Sequence, residues 1–208
     1  AGIVNLVSKT PQEERELNFL ANATSAGGLD LSGFYSERYG NAGLTVFASR
    51  NSNRPFDPAN IGLTAIPKFE RYTINPRLFI YGKNTNIDMG IGLVTENRIG
   101  GSINYINNGG TGFFEKNKTE RITTQIGITH QLNENSHLQF KNSFSNFNRI
   151  ISVPNYQFDA LQQSSFSEFT WNQKKESSGW VIGANLLTDQ LVERGQTSIA
   201  KRDYQLNT

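Results

Sequence analysis

Ile87-Asp88-Met89-Gly90-Ile91-Gly92-Leu93 puts an aliphatic residue at every odd position and an aspartate or glycine at every even one. In an extended chain successive side chains leave opposite faces, so this stretch reads as a strand with one apolar face and one small or polar face. A helix would need apolar residues three and four apart, which strict alternation does not supply. The same alternation recurs on both sides. Leu17, Phe19, Ala21 and Ala23 oppose Glu16, Asn18, Leu20 and Asn22; Leu29, Leu31, Gly33 and Tyr35 oppose Asp30, Ser32, Phe34 and Ser36. Leu44, Val46 and Ala48 oppose Thr45, Phe47 and Ser49, and Tyr72, Ile74, Leu78 and Ile80 oppose Thr73, Asn75 and Arg77. Farther on, Ile122, Ile126 and Ile128 oppose Thr123, Gln125 and Thr129, and Leu138, Phe140 and Phe144 oppose Gln139, Lys141, Ser143 and Ser145. Two more strands are expected near Ser164 to Trp171 and Trp180 to Thr188, which makes about nine and leaves no convincing helix.

Composition narrows the setting. The chain has 208 residues, of which 36% are hydrophobic and 18% charged, and its mean hydropathy is -0.49. No stretch approaches the roughly 18 consecutive apolar residues of a membrane-spanning helix. A transmembrane barrel stays open, because alternating strands average to a polar composition. Without cysteine there is neither a disulfide framework nor a thiolate metal site. The net charge of +2, with Lys and Arg scattered, gives no nucleic-acid stripe. Ala1 does not open a secretory signal, so the chain reads as an internal piece of a longer protein or a mature product.

The joins carry a second signal. Gly40-Asn41, Gly82 to Thr85, Asn133 to Ser136 and Gln173 to Ser178 are short and rich in turn residues. Between them lie long joins at Asn51 to Glu70, Arg98 to Thr119 and Arg149 to Gln162. Short and long joins thus alternate, as when one rim of a barrel carries periplasmic turns and the other external loops. The strands, about ten residues long, suit a tilted bilayer crossing. Tyr35, Tyr39, Tyr72, Tyr81, Phe147, Trp171 and Trp180 fall toward strand ends, as an interfacial aromatic girdle would, although aromatics favour strands in any setting. The expected fold is all-β: part of an antiparallel transmembrane β-barrel.

Ala1-Gly2-Ile3-Val4-Asn5-Leu6-Val7-Ser8-Lys9-Thr10-Pro11 resembles the closing strand of the plug domain in TonB-dependent outer-membrane receptors, which leads directly into the first barrel strand. Tyr72-Thr73-Ile74-Asn75-Pro76-Arg77-Leu78-Phe79-Ile80-Tyr81 and Glu96-Asn97-Arg98-Ile99-Gly100-Gly101 look like the Bacteroidetes branch of that family. Phe114-Glu115-Lys116-Asn117-Lys118-Thr119, followed by Gln125 to His130, is similar too. The resemblance covers essentially the whole chain. It implies a barrel of about 22 strands filled by a plug. Residues 1–12 would be the last plug strand and linker, and residues 13–208 the N-terminal part of the barrel. Such a receptor sits in the bacterial outer membrane, in contact with its lipid, and takes up a scarce nutrient: an iron-siderophore, haem, cobalamin or a glycan. Energy reaches it from the TonB complex through an N-terminal box. Here that box and nearly all of the plug are missing before Ala1, and Thr208 is expected in or near an external loop.

Candidate chemistry is sparse. Arg50, Asn53, Arg54, Phe56 and Asp57 lie in the first long join and mix cations, an amide and an aromatic that could hold a siderophore or a sugar; an ordinary polar loop collects the same residues. Arg77, Asp88, Glu96 and Lys141 are expected to face a lumen, toward a plug or water. His130 and His137 flank one short turn and could pair on a metal, though solvated turn residues are the default. Asp57 and Asn60 are too few for a calcium site. No catalytic motif occurs, so neither an enzyme nor a bound cofactor is expected. The competing expectations are a soluble or surface all-β carbohydrate-binding or other ligand-binding module, whose apolar faces would meet in a core, and a passive outer-membrane barrel.

Overall fold

The computed structural model describes residues 8–194 and the backbone of residues 204–207. Most of the plug-like segment, Ala1 to Val7, lies outside the described residues, as does Thr208. All strands join one antiparallel sheet, in sequence order from β1 to β10. The first five are β1 (Glu16–Ala23), β2 (Gly28–Tyr39), β3 (Ala42–Asn53), β4 (Lys68–Tyr81) and β5 (Thr85–Gly101). After a short helix α1 (Ile103–Asn108) come β6 (Phe114–Asn133), β7 (Ser136–Val153), β8 (Tyr156–Lys174) and β9 (Gly179–Glu193). The four-residue β10 (Tyr204–Asn207) pairs with β9. Each of the nine strands expected from alternation is present.

Register fixes the faces, because residues directly opposite in neighbouring strands point the same way. Ala48, Ile74, Leu93 and Ile122 form one continuous row across β3 to β6. Ile80, Ile87, Ile128, Phe140 and Phe169 form another, across β4 to β8. These rows share one face, and that face is open: Phe19, Ile74, Leu78, Ile91, Ile122, Phe169 and Leu186 are all exposed. The opposite face carries the rows Thr45–Arg77–Gly90–Gln125–Ser143 and Asn51–Arg71–Glu96–Thr119–Arg149.

Among the described residues the buried apolar side chains are few, Phe79, Ala160 and Pro11, whereas Ser36, Thr45, Asn53, Glu96 and Ser136 are buried polar ones. The accessible surface is 14356 Å², against about 9,700 Å² for a compact globular chain of this mass. The sheet is therefore held by its ladders and by polar contacts, and among the described residues no second layer covers its apolar face.

The joins depart from expectation in three places. The first two long joins are trimmed, because β3 runs on through Asn53, β5 through Gly101, and β6 begins at Phe114. The third, Arg149 to Gln162, is not a loop: β7 and β8 stay paired up to Val153 and Tyr156, around a tight Pro154-Asn155 turn. Asn155 has φ 64° there, fitting a turn with proline first and a left-handed residue second. Among the described connections, one rim thus carries only tight turns, whereas the other carries two long connections and two short ones. The third departure is α1, which is too short to show a helical period. Its ends are marked instead, by Ser102 accepting from the Tyr105 N–H and by Gly109 at φ 68°.

The chain enters the sheet from the polar face. Pro11 is buried against Gly43, where an added Cβ would lie 2.4 Å from the proline Cγ. The Arg38 N–H donates to the Gln12 carbonyl at 2.8 Å, and Lys9 Nζ lies 5.7 Å from the centre of the Phe34 ring.

Candidate functional site

Two groups of charged side chains stand out, one on each face near the rim with the long connections. On the polar face but toward the tight-turn rim, Arg77 Nη2 donates to Asp88 Oδ1 at 2.6 Å. Glycines make room for this pair: a Cβ on Gly127 would lie 2.2 Å from Asp88 Oδ2, and one on Gly90 would lie 2.9 Å from Arg77 Cγ. Glu96, only 8% exposed, accepts from Arg71 Nε at 2.5 Å and lies 3.0 Å from Arg98 Nε. A buried carboxylate needs such partners, because burial penalises its charge. Beside it, Arg121 covers the Phe147 ring at 4.3 Å, and Arg149 Nε donates to Asn117 Oδ1 at 3.3 Å. Arg71, Glu96, Arg98, Arg121, Phe147 and Arg149 line a hollow of about 420 Å³. Four guanidinium groups around one carboxylate leave an excess of positive charge, suited to a carboxylate or phosphate group.

The residues expected in the first loop divide between elements. Arg50 and Asn53 belong to β3, not to a loop, because the ladder continues through Leu31–Arg50–Tyr72 and Gly28–Asn53–Phe69. Arg50 lies on the apolar-belt face and donates to Glu70 Oε1 at 2.6 Å, while Tyr72 Oη donates to the same oxygen at 2.7 Å. Arg50, Asn53 and Arg54 line a common cleft of about 850 Å³. Phe56 and Asp57 are not among its lining residues. Phe56 pairs with Ile66 inside the connection, and Asp57 accepts from the Ile61 and Gly62 N–H groups at 3.3 and 2.7 Å, which folds the connection back on itself.

Arg77, Asp88, Glu96 and Lys141 do share the polar face, where Lys141 Nζ lies 3.5 Å from Glu168 Oε1. The two histidines do not come together. His130 opposes Leu138 and His137 opposes Gln131, so they leave opposite faces of the same hairpin. His130 Nδ1 instead meets Thr85 Oγ1 at 2.7 Å. Of the aromatics expected to form a girdle, Tyr35, Tyr39, Tyr72, Trp171 and Trp180 share the apolar face, whereas Tyr81 and Phe147 lie on the polar one.

Arg71, Arg98, Arg121 and Arg149 were not singled out from sequence. Their signal was parity: each falls on the polar phase of its strand's alternation. The chain matches no protein-family model and no curated protein sequence.

Proposed function

We propose that this chain is the N-terminal part of an outer-membrane β-barrel receptor of the TonB-dependent type, which takes up a scarce nutrient from outside the cell. The observation that carries this reading is a single sheet in sequence order with an open apolar face and a paired, charged opposite face. A soluble sandwich would cover that apolar face with a second sheet, at a gain of about 25 cal/mol per Å²; among the described residues nothing covers it.

Dimensions support the membrane setting. From Tyr72 to Ile80 the belt on β4 spans nine residues, about 27 Å of strand. A strand tilt of about 40° projects this to ~21 Å, near the ~25 Å apolar band of outer-membrane barrels. The entry of the chain over Gly43 on the polar face supports a plug on the lumen side. The arginine-rich hollow around Glu96 supports an anionic ligand in that lumen, and the remaining ligand contacts would come from the plug and the strands absent here. Coupling to the TonB complex would pass through an N-terminal box, as the resemblance implies.

The test is solvent dependence. The chain should acquire β-structure and protease resistance in detergent micelles or phospholipid vesicles and remain unfolded or aggregated in plain buffer. A folded monomer in buffer without detergent would sink the membrane assignment.

A further inference from the structure

The apolar-belt face is not featureless, and its two hollows adjoin. The lower is floored by the small residues Ala21, Gly33 and Ala48 and walled by Phe19, Leu31 and Ile74, with a volume of about 950 Å³. The upper is the cleft of about 850 Å³ toward the rim with the long connections. Arg50 lines both. Volumes of this size are typical of small-molecule sites.

Charge distinguishes the upper cleft from the lower groove. Lys68–Ile99–Lys116–Ser152 and Ser52–Glu70–Asn97–Lys118–Ile150 are register rows on the same face as the apolar belt. This face therefore presents Arg50, Arg54, Lys68, Lys116 and Lys118 to the cleft, against the single carboxylate Glu70 among its lining residues. Glu70 is spent on Arg50, and Lys118 Nζ lies 3.0 Å from Glu120 Oε1. Among the described residues Arg54, Lys68 and Lys116 form no ion pair. Lys116 rests over the Phe114 and Tyr105 rings at 5.1 and 5.4 Å from their centres. A cationic cleft directly above an apolar groove matches one amphiphile, with its anionic head above and its chain below.

We infer that this face holds a specific membrane lipid, its phosphate-bearing headgroup among Arg54, Lys68 and Lys116 and an acyl chain in the groove over Ala48. The inference rests on the membrane reading and adds to it a defined lipid site on the outer wall. Lysines and arginines near a membrane surface attract anionic headgroups, and an apolar groove adds chain contacts that a free phosphate cannot make.

The experiment uses the full-length protein in an uncharged detergent, with bound adducts counted by native mass spectrometry. Phosphatidic acid, diacylglycerol of the same chains and inorganic phosphate are the three probes. Phosphatidic acid should be retained, diacylglycerol should not, and inorganic phosphate should compete poorly. Changing Arg54→Gln, Lys68→Gln and Lys116→Gln together should weaken retention roughly a hundredfold. All three side chains are exposed, so folding should be unaffected. Ala48→Phe, which fills the groove, should weaken phosphatidic acid and leave any phosphate binding as it was.

Equal retention by the triple variant would overturn the site. Equal binding of inorganic phosphate, insensitive to Ala48→Phe, would make it a free-anion site and overturn the lipid claim. Flotation with phosphatidylcholine vesicles separates the two levels. A protein that floats but shows no preference for phosphatidic acid loses only the lipid site, whereas one that fails to float loses the membrane reading and the lipid site with it.

Discussion

At the scale of single residues, the cost of a charge depends on the face that receives it. Ile91 is 48% exposed on the apolar face, so in water Ile91→Arg would cost almost nothing. In a bilayer the same change puts a guanidinium at the level of hydrocarbon and should cost about 2–4 kcal/mol. Ser143, exposed on the polar face opposite Gln125 and Phe166, is the matched control, and Ser143→Arg should cost far less. Asp88 makes a poor control despite its polar face, because Asp88→Arg would remove the partner of Arg77. Folding titrations of the full-length protein in vesicles measure both variants, and equal costs would contradict the assignment of faces. The faces themselves were legible because a period of two has only two phases. The pairings across them were not: nothing in the local sequence says that Asp88 reaches Arg77, or that Gly127 must stay small to admit it.

Strands and turns were legible where the apolar belt imposes alternation and lost where it ends. Arg149-Ile150-Ile151-Ser152-Val153 places aliphatic residues on both faces, and Gln157 to Leu161 blurs in the same way. Beyond the belt neither face is required to be apolar, so the pattern dissolves while the backbone ladder continues. An apparent loop of Arg149 to Gln162 is therefore a hairpin arm closed at Pro154-Asn155. The opposite rim was easier to read, because Gly40 with φ 56° sits in a two-residue hairpin loop whose chemistry is local. The hairpin arm makes a test at this scale. Asn155 holds a left-handed conformation that glycine adopts freely and a β-branched residue resists. Asn155→Gly should leave stability within a few tenths of a kcal/mol, whereas Asn155→Val should cost about 1–3 kcal/mol. Chemical denaturation from vesicles reads both. A neutral Asn155→Val would mean that the arm does not close through this turn.

For the whole molecule, the two rims must lie on opposite sides of the membrane if the sheet crosses it, because each antiparallel strand exchanges one rim for the other. Arg54 to Pro67 and Ser102 to Phe113 then share a side, and the turns at Gly82 to Asn84 and Glu134-Asn135 share the other. Outer-membrane barrels carry long connections outside and short turns in the periplasm, which orients the chain. This chain holds no cysteine, so with any thiol elsewhere in the full-length protein replaced by serine, single introduced thiols measure this directly. Ala59 in the long connection and Asn84 in the tight turn are both exposed, so neither change disturbs packing. In intact cells producing the full-length protein, Ala59→Cys should react with a membrane-impermeant maleimide, and Asn84→Cys should react only after the outer membrane is opened. The reverse pattern would invert the orientation and move the cationic lipid cleft, which lies toward the long-connection rim, to the inner leaflet. Equal labelling of both sites in intact cells would mean that no membrane separates the rims, and the transmembrane assignment would fall with its orientation.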